Sequence, residues 1–125
     1  MSIVLEASGD RRLKLNAWNW GVLHAFVARG AILPGEDWDL KRHGAGEDLD
    51  ALQVALLADF LERELLPLLR PGERLFYDGT VTDVPDDGTF FRAEDELWKN
   101  YSLHRDVLVE VIAFLRDAGG PVAFS

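Results

Sequence analysis

Cysteine is absent from the 125-residue chain. Disulfides, thiolate metal ligands and thiol catalysis are excluded together, so packing must supply the stability. The same absence suits a reducing compartment and predicts a cytoplasmic protein. Basic residues are scarce as well: 13 Lys and Arg stand against 22 Asp and Glu, a net charge of −9. Nucleic-acid binding rests on cations that neutralise phosphates and release counterions, so no nucleic-acid partner is expected.

Long apolar runs are also missing. The longest stretch without Asp, Glu, Lys or Arg covers residues 15–28, and it contains Asn16, Asn19 and His24. A bilayer-spanning helix needs about 20 apolar residues, so no membrane span is expected. The opening Met1-Ser2-Ile3-Val4-Leu5-Glu6 meets an acid after three apolar positions, which predicts no secretory leader. The three histidines, His24, His43 and His104, lack the close spacing of zinc ligands, so neither a metal nor a cofactor is expected.

What is present is enough apolar material for a core. Hydrophobic residues make up 48% of the chain, and a disordered sequence would not combine that share with this charge. The length suits a single globular domain over residues 1–125.

Periodicity sets the expected elements. Ile3-Val4-Leu5 and Arg12-Leu13-Lys14-Leu15 alternate at period two around a Ser8-Gly9-Asp10 turn, predicting an N-terminal hairpin. Asn16 can cap a helix over residues 17–29, with Gly30 as its left-handed stop and Trp20, Leu23 and Val27 facing the core. Residues 34–46, rich in Gly and charge, read as a surface loop. A strong helical pattern follows through Leu49, Leu52, Leu56, Leu57, Leu61 and Leu65, and Pro67 kinks or ends it near Leu66.

Asp78-Gly79 between Leu75-Phe76-Tyr77 and Thr80-Val81-Thr82 predicts a tight hairpin. A short helix follows over residues 93–98. Ser102 then caps a last helix that Gly119-Gly120-Pro121 stops, and Val122-Ala123-Phe124 can add an edge strand. The expected fold class is α+β: a mostly helical single domain with about three main helices packed with a minor antiparallel sheet or hairpins.

Charge is unevenly spread. Residues 36–96 hold 17 acids and six bases, a net −11, whereas the flanking segments are near neutral. Such a surface hastens encounter with a basic partner and rejects an acidic one, although acid also serves solubility alone. Trp38 stands within Glu36-Asp37-Trp38-Asp39, where an indole ringed by carboxylates fits the anchor of an interface with a basic protein; a loop Trp can equally tuck back onto the domain.

Asp83, Asp86 and Asp87 extend the candidate interface. Residues 83–94 imitate a calcium loop with Asp83 at position one and Glu94 at twelve, but Pro85 supplies no oxygen at position three, so a Pro-Asp-Asp-Gly turn is the expected reading. As candidate acids and bases, Asp78, Asp83, Asp86 and Asp87 form the only dense set, and general acid–base work would require a partly dry cleft around them.

Leu15-Asn16-Ala17-Trp18-Asn19-Trp20, the run from Asp78 to Phe90 and Asn100-Tyr101-Ser102 together resemble small acidic bacterial proteins of uncharacterised function. That group includes immunity proteins that block toxins of neighbouring bacteria. The resemblance implies an acidic protein-binding module and assigns no residue a role. The expected function is therefore a binding module for a basic protein, possible immunity-type inhibition included. The alternatives are an enzyme using the carboxylates of residues 78–87 and a self-associating protein, a homo-oligomer without catalytic role.

Overall fold

The computed structural model describes residues 2–125. Strands β1 (Ser2–Ala7) and β2 (Arg11–Asn16) form the N-terminal hairpin, in register from Ser2 opposite Asn16 to Ala7 opposite Arg11. Its connection bends at Gly9 and Asp10, both left-handed, the second a residue type that tolerates this conformation. Ile3, Leu5 and Leu15 turn one face of the hairpin into the core.

Helix α1 (Ala17–Gly30) starts where Asn16 accepts a hydrogen bond from the Asn19 backbone N–H. The left-handed residue at its end is Ala31, not Gly30. Gly30 serves a different need: a Cβ there would lie 2.5 Å from the ring of Phe60, so its lack of a side chain lets two helical segments approach. Asn19 is buried, and its Oδ1 accepts the His104 N–H at 2.9 Å.

Residues 34–46 are not a simple loop, because they contain helix α2 (Gly35–Lys41). Helix α3 (Ala51–Phe60) begins with a capping box, in which Asp50 accepts from the Gln53 N–H and Gln53 accepts from the Asp50 N–H. It continues as a π turn (Leu61–Leu65) and a 3-10 turn (Leu66–Leu68). Widening the ladder in this way brings Pro67 to the start of a new turn, where its missing N–H does no harm.

Strands β3 (Arg74–Phe76) and β4 (Val81–Thr82) make the second hairpin. Its link is one residue longer than Asp-Gly alone: Phe76 N–H bonds to Thr80 O, Gly79 N–H bonds to Phe76 O, and Gly79 takes a left-handed conformation. A 3-10 helix (Glu94–Asn100) follows. Ser102 then lies in strand β5 (Ser102–His104) rather than capping a helix; helix α4 (Arg105–Asp117) starts after His104 without a side-chain cap. Strand β6 (Ala123–Phe124) closes the chain.

The mixed α+β character holds, but the expectation of about three main helices does not. Five helical segments occupy 48% of the residues, and two three-stranded antiparallel sheets, ordered β2-β1-β6 and β4-β3-β5, occupy 19%. Helix α2 was not expected, being too brief to display a helical period, whereas the short helix expected over residues 93–98 is present as the 3-10 helix. No helix among the described residues is long and apolar enough to cross a membrane.

Candidate functional site

Helix α2 decides what the acidic segment presents. Glu36 and Asp37 stand in its first turn and Lys41 in its last, the arrangement that its backbone dipole favours. Winding the segment resolves the conflict between an indole and three acids, since Trp38 can face inward while its neighbours face solvent. Trp38 is 2% exposed. Its Nε1 donates to His24 O at 3.0 Å, and its ring stacks on the His24 imidazole at 4.9 Å and 6°. The expectation of Trp38 as an exposed interface anchor is therefore corrected: it is a core residue that packs against Trp20 and Phe124 as well.

His24 Nε2 donates to Trp38 O at 2.6 Å, so the neutral ring carries its proton on Nε2. Burial holds its pKa below the ordinary value. The bond to Trp38 opposes that shift, Arg42 adds to it, and Asp39 opposes it.

Lys41 is fully buried, a feature that sequence reading missed although Asp37 four residues earlier signals an i,i+4 pair. Its ammonium donates to the Asp37 carboxylate and to Glu47 O. Asp37 also accepts the Glu47 N–H at 2.8 Å. The Lys41 bond, aided by this one, holds the Asp37 carboxyl below the usual carboxylate range. Gly46, left-handed, completes the knot, as a Cβ there would lie 2.7 Å from Asp37 Oδ1.

Outside this knot lies a hollow of about 400 Å³ whose lining includes Glu36, Asp37, Leu40, Glu47 and Asp48. Leu40, one of the lining residues, is 54% exposed. Of the candidate interface residues, Glu36 and Asp37 are thus brought together, with Glu47 and Asp48 added to them. Asp39 is exposed but does not line the hollow.

Asp83, Asp86 and Asp87 lie elsewhere, exposed on the segment between β4 and the 3-10 helix. Asp86 accepts the Gly88 N–H and Asp87 the Thr89 N–H, each turning the chain locally. Asp86 also stands 3.8 Å from His104 Nε2. The Thr89 hydroxyl and N–H hold Asp87 below the usual carboxylate range, as those of Thr80 hold Asp78. A general acid needs the opposite shift. Among the described residues no group of three or more His, Asp or Glu is placed to hold a metal ion.

Two adjoining hollows share Trp18 as a wall. One, of about 320 Å³, lies between the start of β1, the start of α1 and the end of α2, and takes in Trp20, Arg42, His43 and Tyr101. The other, of about 360 Å³, is bounded by Asp86, Thr89, Phe90, Lys99 and Asn100. Trp18 meets Tyr101 edge-on at 4.9 Å and Phe90 at 5.8 Å. Asn100 pins that side through paired bonds with the Phe91 N–H and carbonyl. No family model, curated protein or solved structure matches the chain.

Proposed function

We propose that the protein is a binding module that engages a basic protein through the acidic hollow on α2, in the manner of an immunity-type inhibitor. The observation that carries this reading is the exposed Leu40 among Glu36, Asp37, Glu47 and Asp48, with no base lining the hollow. An exposed apolar side chain beside acidic groups can be desolvated by a partner, while the acids steer encounter and select a partner of opposite sign. Lys41 and the Glu47 backbone fix Asp37 in place beforehand, so little ordering is needed on binding.

The test is capture from a lysate of the native cells by wild-type protein and by a Glu36→Lys, Asp48→Lys double variant. A basic protein retained by the wild type and lost, with affinity down tenfold or more, in the variant supports the reading. Identical capture by both proteins overturns it.

A second reading, self-association, is favoured by α3. That helix is apolar on nearly every side, and Leu52 and Leu56 remain 70% and 44% exposed. Sedimentation across a hundredfold concentration range, with Leu56→Glu as the comparison, separates it from the first: a mass that stays monomeric throughout removes it.

A further inference from the structure

We propose that the 320 Å³ cleft beside Trp18 binds a small planar aromatic anion, its ring against Trp18 and its carboxylate or phosphate on Arg42. The cleft lies apart from the hollow on α2, and the proposal stands independently of the protein-binding reading.

The lining runs against the composition of the chain. In a protein of net charge −9, no Asp or Glu lines this cleft, whereas Arg42 and His43 both do. The first turn of α1, which forms one wall, carries no acid either. Trp18, which keeps 38% exposure, and the half-buried Tyr101 supply aromatic surface, and the buried Trp20 lines the cleft as well. Ligand clefts of a few hundred Å³ with apolar walls and a few converging polar groups suit small molecules, and this volume admits one or two fused rings with an anionic arm.

Arg42 is the decisive residue. Among the described residues it forms no ion pair, and its guanidinium donates no hydrogen bond, although it is half-buried and the chain has 22 acids to offer. A guanidinium presents a planar fork of donors that matches a carboxylate or phosphate, and none of the Arg42 nitrogens is closed off from solvent, so the fork is open to an arriving anion. Its backbone is held, because Arg42 O accepts the Trp20 Nε1–H at 3.1 Å.

Its side chain has a dedicated seat. A Cβ on Gly21 would lie 2.7 Å from Arg42 Nη1, 2.5 Å from Tyr77 Oη and 3.1 Å from the Tyr101 ring. The glycine lets a guanidinium and two phenols converge on one helix face, three residues from Trp18.

Titration followed by amide and indole NMR shifts at constant ionic strength tests the proposal with two pairs of probes: indole-3-acetate against neutral tryptophol, and adenosine monophosphate against adenosine. The expected result is that at least one anion binds tenfold or more tightly than its neutral counterpart and shifts the Trp18 indole. Preference for indole-3-acetate assigns the site to carboxylates, and preference for the monophosphate to phosphates. Arg42→Gln should erase the preference with the melting midpoint held within a few degrees, and Arg42→Lys should restore part of it. Should Arg42→Gln unfold, Gly21→Ala, which displaces the guanidinium, serves the same comparison. Equal binding of anions and neutral probes, no binding of either anion below millimolar concentration, or shifts that bypass Trp18 would overturn the proposal.

Discussion

His24 ties burial to pH. Its imidazole is stacked on Trp38 and donates to that residue's carbonyl, so the fold accommodates the neutral ring. Burial depresses the folded-state pKa below the ordinary 6.5, at which the unfolded chain titrates. Above that value both states are neutral at this site and stability is undiminished. Below it the unfolded chain binds a proton that the folded one resists, so stability falls as pH drops from about 6.5 toward the depressed value, and levels off beneath it. Urea unfolding from pH 7.5 to 5.0 should show this decline, and it should be shallower in His24→Gln, whose amide can still donate to Trp38 O. An equal slope in both proteins would assign the pH dependence to other groups.

Among the elements, α2 was the least legible and is the one most dependent on a single bond network. Seven residues span two turns, too few for a helical period, and what it sends inward is one Trp and one Lys, the latter of a type seldom found in cores. By contrast the β1–β2 hairpin and α1 stood out because alternation and a capping Asn16 are local signals. Helix α3 was legible in extent but not in orientation: with few polar residues on it, spacing could not tell that Val54 and Ala58 face inward while Leu52 and Leu56 face out. Of the candidate interface, composition located the acid, but only the winding of α2 removes Trp38 and gathers Glu47 and Asp48. Replacing Asp37 by Ala strands the buried Lys41 ammonium with one carbonyl. The loss should be about 3 kcal/mol, at the low end for breaking a buried pair because Asp37 keeps 27% exposure. Lys41→Met, which retains the packing and leaves Asp37 to solvent, should cost less. Denaturant midpoints at unchanged m-value measure both, and the reverse order would contradict the account of Lys41 as a charge in need of a partner.

At the scale of the whole molecule, the two ends of the described chain are sewn to each other. Val4 and Ser125 exchange both backbone bonds, Leu49 and Val122 do the same, and β1 lies between β2 and β6. The second sheet is built from residues 74–104, and α1 joins it to the first through Asn19 and His104. Residues 83–93 lie outside both sheets and every helix, and are held chiefly by side-chain bonds such as the Asn100 pair. Amides that open only with global unfolding exchange most slowly, whereas segments with few buried contacts exchange nearly freely. Hydrogen exchange should therefore find Val4, Leu49 and the middle of α1 among the slowest, with residues 83–90 unprotected and Phe91 intermediate. Because Phe90 packs on Trp18 from this segment, a ligand that orders Trp18 should slow exchange there without changing it in β1. Protection of residues 83–90 equal to that of β1 in the free protein would mean that this segment belongs to the cooperative core, and Trp18 would then be a fixed wall rather than a responsive one.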